Sequence, residues 1–162
     1  MSTRSELREK IMTILYQIDL YKRNNIEFDV DSTIKENVEI DNEFVKDIVY
    51  GVVTYMDTID ELANKYLSNW TIDRLDSEGK AILRMSIYEL KYTDTPDLVV
   101  INEAIELAKR YSDDSVRKMI YAIDRAIVSK DKIIPALNEG KTVLLDRYTT
   151  SSVIYQAASL PE

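Results

Sequence analysis

The 162-residue chain contains no cysteine and no histidine. The first absence excludes disulfides, thiolate zinc sites and cysteine nucleophiles. The second excludes imidazole metal sites and catalysis by Ser-His or Cys-His pairs. Glycine and proline occur only three times each, which favours long helices over tight β-hairpins. The glycines, Gly51, Gly79 and Gly140, are too scattered to build a phosphate-cradling loop. Phosphoryl transfer from ATP is therefore not expected. No apolar run approaches the length of a membrane span, and no signal-peptide core opens the chain. A cytoplasmic protein is expected.

Positive charge is also scarce. Twenty-one Lys and Arg face 29 Asp and Glu, a net charge of −8. Such a chain repels nucleic acid on average. RNA binding would need a local basic face, or a partner that supplies positive potential.

What is present is helical patterning. Thr3 and Glu6 have capping-box spacing, and Leu7, Ile11, Ile14, Leu15 and Ile18 recur as one apolar stripe. This helix is expected to fray near Asn24-Asn25, and a short helix is expected around Ser32 to Asn37. Asp41-Asn42 can cap a helix whose buried face is Phe44, Val45, Ile48, Val49 and Val52. Gly51 lies inside that helix with no turn signal around it, which predicts close approach of a neighbouring helix. Tyr55, Ile59, Leu62 and Tyr66 continue the period after a break near Asp57. Trp70 and Leu75, in a short connector, are expected to plug one end of the core. Two helices, over 77–92 and about 99–111, flank a turn at Pro96, with Glu106 and Arg110 placed for an i,i+4 pair. Asp113 or Asp114 caps another helix. This acidic pair reads as a cap rather than a catalytic dyad.

The stretch Lys80–Arg110, KAILRMSIYELKYTDTPDLVVINEAIELAKR, is not generic. An Ala-Ile-Leu-Arg opening leads to Tyr-Glu-Leu, a proline turn, and then Ile101-Asn-Glu-Ala. Upstream stand Leu15-Tyr16-Gln17 with Asp19, and Val49-Tyr50-Gly51-Val52. Downstream stand Asp113-Asp114-Ser115 and Lys118-Met119-Ile120. This ordered series resembles the NusB family of bacterial transcription antitermination factors, over about residues 1–120. The resemblance implies an all-α fold of about seven helices in two packed sub-bundles, with no catalysis and no cofactor. It implies binding of boxA RNA together with NusE, a ribosomal protein of the small subunit, within the RNA polymerase antitermination complex. A homodimer is left open. Carried over by matching position, the RNA contacts would be Arg4, Arg8, Tyr16, Arg84, Tyr111, Asp114, Arg117 and Lys118. Arginine neutralises phosphate with a planar fork, and tyrosine stacks on unpaired bases. The N-terminal basic cluster is thin, and Gly79 stands where an acidic residue is common in the family.

From about Tyr121 the sequence resembles an internal piece of thymidylate kinase instead. The matching elements are Asp124-Arg125, the Ile133–Lys141 run, Asp146-Arg147-Tyr148, Ser151-Ser152 and Tyr155-Gln156. The expected organisation is an RNA-binding helical unit over 1–130 and a kinase-like fragment over 131–162. Val116, Ile120, Ile123 and Ile127 keep helical spacing across the junction, so the last helix is expected to continue to about Lys130. Residues past Gly140 are expected to dock loosely, and Thr142 to Leu145 is a strand candidate without parallel neighbours. Two further readings stand beside the first: the RNA-binding module of a ribosomal-RNA methyltransferase, and a non-catalytic chimera carrying a kinase remnant.

Overall fold

The computed structural model describes residues 1–67 and 70–144, and among them every regular element is helical. In chain order these are α1 (Arg4–Arg23), α2 (Val30–Asn37), α3 (Glu43–Thr54), α4 (Met56–Tyr66), α5 (Ser77–Tyr92), α6 (Asp97–Tyr111), α7 (Asp114–Val128) and the short α8 (Ile134–Asn138). A single 3-10 turn, Ile72–Arg74, precedes α5, and a π turn, Ser129–Ile133, joins α7 to α8.

Local chemistry sets most boundaries. The Thr3–Glu6 capping box forms in both directions, opening α1. Asn24 ends it, and Asn25 takes a left-handed φ of 54°, a conformation asparagine tolerates. Asn42 caps α3 through the Val45 N–H, and Asp113 caps α7 through the Ser115 N–H. Pro96 leads directly into α6.

The helices meet on α5. This helix packs against α1, α3, α4, α6 and α7, and every residue from Gly79 to Leu90 is buried. A helix enclosed on all sides must satisfy its polar side chains internally, because an unpaired buried charge is costly. Arg8 of α1, 3% exposed, forms a two-pronged pair with Glu89, Nε to Oε2 at 2.9 Å and Nη2 to Oε1 at 2.6 Å. Arg84, 6% exposed, donates to both oxygens of Asp60 at 2.9 and 2.8 Å, and to Asp19 at 3.3 Å. Burial opposes its charge, and the two carboxylates outweigh that, so its pKa stays above the usual arginine value. Since Arg8 meets Glu89 and Asp19 meets Arg84, α1 and α5 run antiparallel.

Gly51 lies where α3 meets α5. A Cβ there would stand 2.1 Å from the Tyr88 ring, so the close approach expected from sequence occurs and has a named partner. The Tyr88 hydroxyl donates to Asp47 at 3.0 Å, which keeps the ring over the glycine.

Four local expectations need correction. Trp70 is 44% exposed and plugs nothing; Leu75 is buried as expected, and Ile72 is buried in place of Trp70. The 3-10 turn aims Ile72 inward, and Asn64 Oδ1 accepts its N–H at 2.9 Å. Tyr55 is exposed at the α3–α4 junction and stacks on Tyr92 at 4.8 Å between centroids. Glu106 and Arg110 do not pair. Glu106 takes Lys109, while Arg110 reaches Glu9 of α1, both at 3.2 Å. Finally, Lys141 to Leu144 form no strand; Asp146-Arg147-Tyr148, Ser151-Ser152 and Tyr155-Gln156 lie outside the described residues.

Helix α7 does run across Tyr121. Val116, Ile120, Ile123 and Ile127 are all buried, and the α-helix ends at Val128 in the π turn. Residues 129–138 bury no side chain. Two ion pairs tie them down, Lys132 to Asp97 at 2.7 Å and Lys91 to Asp131 at 3.7 Å. Beneath that tie, Asp124 is 5% exposed and its Oδ1 lacks a hydrogen-bond partner. Burial first, then the charge of Asp97, pushes its carboxyl up to about 6; Lys132 and Arg125 act the other way.

The buried pairs predict that Arg8→Ala loses roughly 3–5 kcal/mol of stability in urea melts, the cost of stranding a buried carboxylate. Arg84→Ala costs less, because the freed Asp60 reaches water. The double change Arg8→Met with Glu89→Leu should recover much of the first loss. Asp124 predicts a pH effect of definite sign. Its folded-state pKa lies above the unfolded value, so its burial is free of penalty at low pH and costs stability as pH rises from about 4 to about 6. The melting temperature of Asp124→Asn relative to wild type should therefore climb across that window and level off above it.

Candidate RNA-binding face

The residues expected to contact RNA fall into two groups once the chain is folded. Arg8 and Arg84 point into the core, where every guanidinium contact just described is to a carboxylate. Their side chains are sheltered from solvent and held by these carboxylates. The signal available in sequence was the partner spacing on α1 and α5, which single-helix patterning does not reveal.

The other six lie at or near the surface. Arg4 is exposed at the start of α1 with its guanidinium 4.5 Å from the Phe44 ring centroid. This cation–π contact fixes the head group without neutralising it. Tyr111 ends α6 at 40% exposure. Its hydroxyl donates to Glu9 of α1, and the same carboxylate accepts from Arg110 at 3.2 Å. The Tyr111 hydrogen bond, helped by Arg110, holds the Glu9 carboxyl below its usual range although burial acts the other way. The same bond raises the Tyr111 pKa, so the hydroxyl stays a neutral donor. Glu9 and Arg110 thus join α1 to the α6–α7 corner, a role no motif announced.

Tyr16 is half-buried, two turns after Glu9 and on the same side of α1. Asp114, Arg117 and Lys118 occupy the exposed start of α7. Asp114 pairs with Arg117 at 2.8 Å and Lys118 at 3.9 Å. Asp113, the helix cap, is held below its usual pKa by the Ser115 hydroxyl and N–H. A second acid braces this corner from α5. Asp76 caps α5 by accepting the Gly79 N–H at 2.6 Å, and it also accepts from the Ser112 hydroxyl at 3.0 Å. A Cβ at Gly79 would lie 2.6 Å from that carboxylate and 3.0 Å from Val116. The absent side chain there is a consequence of packing.

The face is therefore cationic only conditionally. Arg110, Arg117 and Lys118 are each paired with an acid, but all these pairs are exposed. Exposed pairs are worth about 0–1 kcal/mol, so a phosphate can take over the cation at little cost.

The NusB family model matches residues 5–128, ending where α7 ends. The transcription antitermination protein NusB of Campylobacter jejuni is 36% identical over 135 residues, covering 82% of this chain and 100% of that protein. That of Nitratiruptor is 39% identical, covering 82% and 96%, and that of Listeria innocua 38%, covering 80% and 98%. Among solved structures, Thermotoga maritima NusB (T. maritima) superposes with a TM-score of 0.67 at 27% identity, over 82% of this chain and 98% of that one. A structure of NusB and NusE in complex with dsRNA gives a TM-score of 0.65 at 28% identity, over 76% and 96%. These relatives are matched over nearly their whole lengths, not as one module of a larger enzyme. The chain belongs to the NusB family.

Proposed function

We propose that the protein is a transcription antitermination factor that binds boxA RNA together with NusE, in the cytoplasm, as part of the RNA polymerase antitermination complex. What supports this reading is the fold shared with a NusB–NusE–RNA assembly, together with Tyr111, Arg117 and Lys118 exposed around the α6–α7 corner and Arg4 exposed at the start of α1. In this reading the chain binds and performs no catalysis. Arg4, Arg117 and Lys118 neutralise phosphates, and Tyr111 offers a stacking face. Asp114 holds Arg117 and Lys118 toward the strand. Tyr16 supports α1 from its half-buried position. Arg8 and Arg84 act from beneath, by fixing α1 and α4 against α5.

Residues 1–130 form the RNA-binding unit, and residues 131–162 are an appended segment resembling part of thymidylate kinase. The exposed, ion-paired docking of residues 129–138 supports treating that segment as dispensable for binding.

Fluorescence anisotropy of a boxA RNA at several salt concentrations, with and without NusE, tests the reading. Arg117→Ala with Lys118→Ala should weaken binding and reduce the slope of log affinity against log salt by about 1.4, at roughly 0.7 per phosphate contact on a single strand. An unchanged slope would remove these two residues from the interface. Absence of binding in both conditions would overturn the function.

A further inference from the structure

At the far end of α7, α4, the last turn of α5 and the π turn enclose a cleft of about 210 Å³. Leu62 and Tyr66 of α4, with Ala126 and Ile127 of α7, give it an apolar lining. Three lysines join them, each from a different element: Lys65 from α4, Lys91 from α5 and Lys130 from the π turn. Lys65 stands 5.6 Å from the Tyr66 ring centroid. Neither Lys65 nor Lys130 forms an ion pair among the described residues. Two acids share the cleft. Asp131 is held by Lys91 at 3.7 Å, and Glu61 is exposed at the rim. Three ammonium groups against two carboxylates leave one positive charge in excess, on a chain whose net charge is −8. The wall that carries Lys130 and Asp131 is a π turn, a rare geometry that recurs at functional sites. These two residues lie beyond the stretch matched by the NusB family model, 5–128, so that wall belongs to this chain rather than to the family.

Lysine binds phosphate as a point charge, without the planar fork that matches arginine to a carboxylate. Ammonium groups arriving from three elements suit an oxyanion with three terminal oxygens better than a flat carboxylate. The apolar lining asks for a hydrocarbon body beside that anion. A cavity of about 150 Å³ holds one benzene ring, so this cleft takes a ring with its phosphate and little more. We propose that the cleft binds a small organic phosphate, a monoester whose ring lies on Leu62, Tyr66 and Ile127 while Lys65, Lys91 and Lys130 share the phosphate. Asp131 keeps Lys91 in the wall, and Glu61 opposes the ligand. Twelve residues of helix, roughly 18 Å, separate Ala126 from Asp114 at the other end of α7. The cleft is therefore distinct from the α6–α7 corner and does not depend on the boxA reading.

The test titrates the full chain with phenyl phosphate by isothermal calorimetry at low salt, with inorganic phosphate and benzoate beside it. Phenyl phosphate should bind at least about tenfold more tightly than inorganic phosphate, because only it buries a ring. Benzoate should also bind more weakly. Lys65→Gln with Lys130→Gln should weaken phenyl phosphate at least about tenfold, and Glu61→Gln should tighten it. Ala126→Leu fills the cleft and should abolish the advantage of phenyl phosphate over inorganic phosphate. The control Lys22→Gln with Lys35→Gln removes the same charge from exposed positions on α1 and α2 and should change little. Equal weakening by the control would mean diffuse attraction and overturn the site. Equal affinity for inorganic and phenyl phosphate would leave the ring without a seat and overturn it, as would no binding at all. Lys65→Gln with Lys130→Gln should bind a boxA RNA as the wild type does; loss of that binding would assign the lysines to nucleic acid and overturn the proposal. Circular dichroism melts of each variant separate loss of binding from loss of fold.

Discussion

The enclosure of α5 is the constraint on which the rest of the molecule depends. Twelve consecutive residues of one helix are out of water, yet they include Lys80, Arg84 and Glu89. Charges in that position persist only if neighbours bring opposite charge at hydrogen-bond distance. Arg8 and Asp19 come from α1 and Asp60 from α4, so three helices are set in register by ionic contacts rather than by apolar packing alone. Apolar side chains tolerate sliding; a two-pronged guanidinium–carboxylate pair does not. This is the physical reason that α1 lies antiparallel to α5 and brings Glu9 beside the end of α6.

That arrangement determines what is left for binding. The arginines of the core pairs are withdrawn from the surface, and Arg110, Arg117 and Lys118 are only loosely held by exposed acids. A face made of weak, exchangeable ion pairs can keep an acidic protein soluble and still open to phosphate, because each pair is worth so little in water. The groove beside Phe44 and Tyr92 is lined by Glu43, Asp47 and Asp94 together with Arg4.

The far end of the bundle shows what tight enclosure costs when it is incomplete. Asp124 is buried in α7 without a full set of partners, under a segment that docks only through exposed ion pairs. The apolar positions around it, Ile120, Ile123 and Ile127, continue the helical period and hold the helix in place. Packing there is sound while polar satisfaction is not.

Much of the fold was legible along the chain. Caps, apolar stripes, the proline turn and the unexplained glycine are local or periodic signals, and each marks a helix or a close contact that the structure contains. The all-α architecture and the membership suggested by the Ala-Ile-Leu-Arg, Tyr-Glu-Leu and Ile-Asn-Glu-Ala series follow from them. Which residues of the candidate face actually look outward was not legible. Arg4 and Arg8 sit four residues apart on one helix and both lie over the Phe44 ring, and only the second meets Glu89 and is buried. Trp70 faces outward while Ile72, held through its N–H by Asn64, closes the end of the core. Sequence by itself determined the helices and the family, because hydrogen-bonded turns and amphipathic period act over a few residues. Tertiary structure alone decided the pairing of charges and the shape of the two surfaces, because electrostatic partners in a folded chain are set by distances between helices far apart in sequence.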